Sequence, residues 1–265
     1  LIESLMKNNL NKHFKGVNFD LLYGLPGSSQ ETFHRTIELT KQLSPERITL
    51  IKYGHIPKRV KHMRMIKDED LPDPNELPAI FVDSTKKLIE AGYEWVGIDH
   101  FAKKNDQLAI AKLEGKVYRN FGGETPGYTK DIMGLGPTST GGFGNYYFQN
   151  KGLKEYMEDI KDGRFSTERG YVLTEDDILR REVNFSLQCN QIIEIDKINK
   201  KYNIEFKEYF KKELVRLRKG EDDGMLIISD TKIESTIKGR YFIRHMCQIF
   251  DTFFDWDKQY EIYGC

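Results

Sequence analysis

Three short stretches place polar groups where a chain could do chemistry. In "NFDLLYGLPGSSQETF", residues 18–33, Asp20 sits inside an otherwise apolar run that stops at Gly-Leu-Pro-Gly. An ionised carboxylate left unpaired in such surroundings is costly, so it needs a cation or hydrogen-bond donors. An internal Arg, Lys or backbone N–H could supply them, and so could a ligand amine or ribose hydroxyl. The other two stretches are Tyr53-Gly54-His55 and Asp99-His100, both near strand ends. Adjacent residues of an extended strand point to opposite faces, which predicts that Asp99 and His100 make a poor acid–base pair. Each histidine also has an ordinary structural reading, as a hydrogen-bonded side chain. A metal site from Asp20, His55 and Asp99 requires the fold to join three distant segments.

Other groups carry weaker signals. The stretch "GLGPTSTGGFG", residues 134–144, lacks the Lys-Ser/Thr pair of a phosphate-binding P-loop. Its glycines are read as permitting close backbone approach to a flat ligand. Lys58, Arg59, Lys61, Arg64 and Lys67 form one basic cluster, and Lys238, Arg240 and Arg244 a second. Solvated faces or contacts to a small anion both account for them. Cys189, Cys247 and Cys265 lie far apart, in no spacing that suits zinc or an iron–sulfur cluster, and are read as reduced thiols.

The elements that position these groups alternate in the first hundred residues. Helix is expected over Ile2–Asn11, strand over Val17–Tyr23 and helix over Glu31–Gln42, the last with Ser28 as its cap. A strand follows over Arg47–Pro57, a helix over Asn75–Glu90 and a single strand over Tyr93–Ala102. This order predicts parallel pairing through crossovers, with polar groups at the carboxyl ends of the strands. Arg119–Asn145 reads as an irregular functional loop. Helices are expected over Glu175–Gln188, Glu205–Arg218 and Ile237–Phe254, with a two-stranded ribbon in "GMLIISDTKIEST" that turns at Asp230. A helix–ribbon–helix order resembles a winged helix. Two domains are expected, 1–162 and 163–265.

The chain has 265 residues with Lys+Arg and Asp+Glu both at 41, for a formal net charge of zero. That balance argues against general adhesion to nucleic acid or membrane. No apolar run approaches the ~18 residues of a membrane span, and no signal-peptide pattern opens the chain. Because Leu1 opens within a helical pattern without a cap, the chain is read as a piece of a longer protein.

The motifs "FDLLYGLPGSSQETF", "YGHIP", "GIDHFAKKNDQLAIA", "YRNFGGET", "MGLGPTS" and "GRYFIRHMCQIFD" together resemble oxygen-independent coproporphyrinogen III oxidase, a radical S-adenosylmethionine family. The resemblance runs from about residue 1 to Asp251. It implies an α/β fold, the C-terminal part of a partial (β/α)6 radical-SAM barrel with a mostly helical, winged-helix-like C-terminal domain. It also implies S-adenosyl-L-methionine and a 4Fe-4S cluster as cofactors of the intact protein. The family's CxxxCxxC cluster motif is absent, so no metal ligand is expected in this chain. Asp20 matches the family acid that contacts the cofactor. Gly54 falls where the family usually has Ala, and Thr140 where Ile is usual.

The implied reaction is oxidative decarboxylation of coproporphyrinogen III to protoporphyrinogen IX in haem biosynthesis, in the cytoplasm, with an unidentified electron donor and acceptor. Arg119, Arg240 and Arg244 are candidates for propionate contacts, because a guanidinium pairs a carboxylate at two points. The fragment alone is expected to be inactive. The rival readings are a haem-binding, chaperone-like member of the same family and a winged-helix interaction module. Neither nucleic acid nor membrane is an expected partner of the oxidase.

Overall fold

The computed structural model describes residues 2–7, 14–129 and 131–256. Contacts divide the chain into two compact units. One runs to Gly115 and takes in the segment from Phe253, and the other spans Lys116–Thr252. Packing thus groups 116–162 with the helices beyond it, a criterion separate from the helical run of sequence behind the expected division at 162/163.

The first unit opens with α1 (Ile2–Lys7), and the rest of the helix expected to Asn11 lies outside the described residues. It continues with β1 (Asn18–Tyr23), α2 (Gln30–Leu43), β2 (Arg47–Lys52), α3 (Leu77–Glu90), β3 (Tyr93–Val96), β4 (His100–Lys103) and α4 (Gln107–Leu113). The sheet order is β1-β2-β4-β3. β1 and β2 pair in parallel, with Asp20 opposite Thr49. β4 runs antiparallel to both β2 and β3. The single strand expected over Tyr93–Ala102 is therefore a hairpin. Gly97 at φ +56° takes a backbone conformation that side chains disfavour and reverses the chain there.

Helix α2 starts at Gln30, one residue before the expected Glu31, and its cap is one residue later than expected. Ser29, not Ser28, caps it by accepting from the Thr32 N–H, and Thr32 bonds back to the Ser29 N–H. The Ser28 hydroxyl instead donates to the Leu25 carbonyl at 2.6 Å. Phe33 and Ile37 of α2 and Ile80 and Leu88 of α3 are buried. A run of rings fills this core. Tyr23 lies 5.9 Å from Phe33 and 6.0 Å from Phe81, which meets Trp95 at 6.2 Å, and Trp95 stacks on Phe101 at 6.2 Å. Burying each such ring contributes about 1.5–3 kcal/mol, which fixes which face of the sheet turns inward.

The second unit begins with the hairpin β5 (Tyr118–Asn120) and β6 (Gly123–Thr125). A four-stranded antiparallel sheet follows, in the order β10-β9-β8-β7, from β7 (Asp131–Ile132), β8 (Thr140–Phe143), β9 (Tyr146–Asn150) and β10 (Thr167–Val172). Much of the expected irregular loop is thus short antiparallel strand. Helix α5 (Leu153–Lys161) links β9 to β10. Then come α6 (Glu175–Asn190), β11 (Ile192–Glu194), α7 (Ile195–Tyr202), α8 (Phe206–Tyr209), α9 (Lys211–Asp222), β12 (Leu226–Ile228), β13 (Lys232–Ser235), α10 (Ile237–Tyr241) and α11 (Ile243–Gln248).

The expected ribbon gains a third strand, in the order β11-β13-β12. Two expected helices are each broken in two. Phe210 leaves helical geometry between α8 and α9, and Phe242 does so between α10 and α11. The first break seats Phe210 in the core, 4.7 Å from the Phe206 ring and 5.4 Å from that of Phe250. Gly239 sets how closely α10 approaches the start of the ribbon. A Cβ there would lie 1.9 Å from the Met225 carbonyl oxygen, so only glycine fits.

Candidate functional site

In the first unit the chemistry gathers on the sheet face opposite the rings. Pairing places Asp20 beside Thr49 and Thr49 beside His100, a polar row across three strands. Asp20 and His100 stand two strand spacings apart, roughly 10 Å. The next row holds Leu22, 42% exposed, and Ile51, 37% exposed. β1 is therefore a half-buried strand, and Asp20 is exposed. This corrects the premise that the carboxylate is buried. It accepts a hydrogen bond from the Asn18 side-chain amide at 2.7 Å and needs no internal cation to survive.

The histidines also differ from expectation. Asp99 lies in the β3–β4 turn rather than in a strand, so the rule of opposite faces does not apply to it. Its carboxylate meets His100 Nδ1 at 2.8 Å, and both side chains are nearly buried. The pair is a formed carboxylate–imidazole couple, with the ring oriented by the acid. His55 follows β2, where its Nδ1 is buried without a hydrogen-bond partner and its ring lies 6.1 Å from Tyr53. Beside it, a Cβ on Gly54 would meet nothing nearer than Ile56 at 3.9 Å. The backbone there has room for the alanine methyl that the resemblance leads one to expect.

Thr140 belongs to the second unit, exposed at the start of β8 opposite Gln149. Arg119 is on β5, and its guanidinium meets the fully buried Glu124 carboxylate at 2.6 Å. Arg240 is on α10 and Arg244 on α11, both half-buried. The basic run Lys58–Lys67 is largely exposed, with a short 3-10 turn at Lys61–Met65.

Sequence reasoning passed over a cavity of about 220 Å³ in the second unit, whose lining includes Tyr118, Phe121, Tyr128, Tyr147, Arg181 and Phe185. Tyr118 meets Tyr128 and Phe185 edge-on, each at 4.8 Å, and Phe121 meets Tyr147 at 5.3 Å. The half-buried Arg181 donates to the Tyr147 hydroxyl at 2.9 Å. Burial pushes the Tyr118 hydroxyl up to about 12, against the pull of Arg181, so it stays protonated. The signal available in the sequence was the doublet Arg180-Arg181 on a helix, with aromatic residues at 118, 121 and 128.

The glycines of β8 have a more local role than expected. A Cβ on Gly141 would lie 2.3 Å from the Phe148 ring, and one on Gly142 would lie 2.8 Å from the Tyr147 ring. At these two positions the flat groups that approach the backbone are the protein's own side chains.

An iron–sulfur cluster needs thiolate ligands. Burial pushes the Cys189 thiol far up, and it pushes that of Cys247 up to about 12, so both are held protonated. Cys265 lies outside the described residues. The described cysteines do not fit a cluster. The open face of β1 and β2 offers the exposed Asp20 carboxylate, an acceptor that fits the polar groups of a cofactor.

Comparison with known proteins bears on the same regions. A family model described as the HemN C-terminal domain matches residues 173–242. The oxygen-independent coproporphyrinogen III oxidase of Escherichia coli is 37% identical over 241 residues, covering 91% of this chain and 53% of that protein. Its namesake in Helicobacter pylori is 35% identical over 254 residues, covering 96% and 56%. That of Thermostichus vulcanus is 35% identical over 242 residues, covering 91% and 74%. The chain thus spans little more than half the length of the first two. A solved structure of the E. coli coproporphyrinogen III oxidase (HemN), described as a radical SAM enzyme, superimposes with a TM-score of 0.91 at 35% identity, covering 96% of this chain and 58% of that one. The α/β architecture is therefore that of part of a radical SAM enzyme, with no closed barrel among the described residues.

Proposed function

This chain belongs to the oxygen-independent coproporphyrinogen III oxidase family, and from that membership we propose that it is the C-terminal part of an enzyme that converts coproporphyrinogen III to protoporphyrinogen IX. The observation that carries the reading is the superposition on the E. coli enzyme over 96% of the chain. When bound, S-adenosyl-L-methionine and a 4Fe-4S cluster supply the hydrogen abstraction that starts loss of carbon dioxide. The electrons would be exchanged with an external donor and an external acceptor, both unidentified.

This chain contributes binding and position. The Asp20 carboxylate accepts hydrogen bonds from polar groups of the cofactor, and the Gly54 backbone contacts its nucleoside. Arg119, Arg240 and Arg244 supply positive charge for propionates, although Glu124 already holds the Arg119 guanidinium. Residues 1–162 carry the barrel portion and its adjoining loop, and 163–265 the helical domain. The cluster ligands come from outside this sequence, so the isolated chain is inactive. The intact enzyme is placed in the cytoplasm on its resemblance alone; no described helix is long and apolar enough to cross a membrane.

The test is iron and acid-labile sulfide per chain, on the product of the uncut reading frame purified without oxygen. About four of each is the expected result. Absence of both, with haem binding seen as a Soret shift, would overturn the oxidase in favour of a haem-binding relative. Salt-sensitive DNA binding would favour the interaction module instead.

A further inference from the structure

We propose that the cavity beside α6 is a carboxylate subsite, in which Arg181 holds one carboxylate of a flat, largely apolar ligand. On the reading above, that ligand is the tetrapyrrole substrate and the carboxylate is one of its propionates.

The charge inventory around α6 carries the argument. Arg180, the preceding residue, is fully engaged. Its guanidinium pairs with Asp176 and with Glu213, each at 2.8 Å. Glu182, the following residue, accepts from Lys201 and from the Tyr202 hydroxyl. Arg119, which also lines the cavity, pairs with Glu124. Arg181 differs from all of these. Its hydrogen bond runs to a neutral phenol, Tyr147, and among the described residues no carboxylate pairs with it. A guanidinium has five N–H donors, so a half-buried one with a neutral partner keeps most of its capacity for an incoming anion. Its fork geometry suits a carboxylate at two points.

The walls describe the rest of the ligand. Tyr118, Phe121, Tyr128 and Phe185 present ring faces and edges around the cavity. Such a lining favours a flat conjugated or pyrrolic group through offset and edge-on contacts. At about 220 Å³ the space is below the roughly 300–1,000 Å³ of sites that enclose a whole drug-sized molecule. It admits one pyrrole edge with its propionate arm, and the rest of the macrocycle must lie outside it.

The experiment uses the intact protein and two fluorescent probes, coproporphyrin III and its tetramethyl ester, with affinities read by fluorescence anisotropy. The free acid should bind the wild type at least tenfold more tightly than the ester. Arg181→Gln should weaken the free acid about tenfold or more, as expected for losing a hydrogen bond to a charged group, and change the ester less than twofold. Arg181→Lys keeps the charge without the fork and should lose severalfold on the free acid alone. It carries the test if Arg181→Gln proves unstable. Wild-type affinity of both variants for the free acid would overturn the subsite and leave the oxidase reading intact. Failure of the wild type to bind either probe would overturn both.

Discussion

Helix α6 carries two adjacent arginines that serve different regions of the second unit. Arg180 faces α9 and the end of the chain's core. It pairs with two carboxylates, donates to the Phe250 carbonyl at 3.2 Å and lies over the Phe210 ring at 5.2 Å. Arg181 faces the cavity with a tyrosine hydroxyl for company. The first is a charge built into the fold, and the second is a charge held ready. Two aspartates repeat the contrast. Asp159 is held by Lys151 and Arg164, each at 2.8 Å, whereas Asp20 stands exposed with an amide neighbour. Charges with full sets of partners hold elements together, and those without them mark where a ligand is expected.

The largest stability effect should come from the Arg180 side. Its side chain is 15% exposed and that of Glu213 is 14% exposed. Arg180→Gln leaves Glu213 without its cation and should cost about 3 kcal/mol, measured by chemical denaturation. An unchanged midpoint would mean that the two arginines are not distinguishable by role. Gly141→Ala comes next. Its new methyl meets the Phe148 ring and lies 2.7 Å from the Ile132 carbonyl, so a loss of roughly 1–3 kcal/mol should follow.

Asp159 should give a smaller, pH-dependent effect. Hydrogen bonds from Lys151 and Arg164 hold its carboxyl well below the usual carboxylate range. A folded pKa below the unfolded one contributes stability that is complete above the usual range, and it is lost as pH falls toward the folded value. Asp159→Asn should therefore lower the melting temperature most above the usual carboxylate range, with the difference shrinking steadily as pH falls below that range. A difference that stayed constant with pH would exclude this origin. Asp20→Asn should move stability least, within about 0.5 kcal/mol, because the side chain is exposed. In the uncut enzyme the same change should lower turnover at least tenfold. Measuring both quantities on one preparation separates a positioning role from a structural one.

Much of the fold is legible in the sequence wherever one strong period or motif rules. β1, α2, β2 and α3 follow from alternating apolar runs and caps, and the final ribbon follows from its turn at Asp230. Legibility fails where one residue redirects the chain. Gly97 inside an apolar run turns an expected strand into a hairpin and thereby brings Asp99 onto His100. Phe210 and Phe242 break expected helices because the core takes a ring at the first break and helical geometry is interrupted at the second. Asp20 looked buried because its apolar neighbours serve two faces, one packed on rings and one open. The cavity was hidden for another reason. Tyr118, Tyr147 and Arg181 are far apart in sequence, and nothing in their spacing says that strands and helix bring them together.

Anaerobic turnover of coproporphyrinogen III, with reductant and S-adenosyl-L-methionine, tests the central assignment most directly when the uncut protein and this 265-residue chain are assayed side by side. The uncut protein should release carbon dioxide and form protoporphyrinogen IX, and the chain alone should form none. Turnover by the isolated chain, or its absence from a cluster-loaded uncut protein, would contradict the assignment.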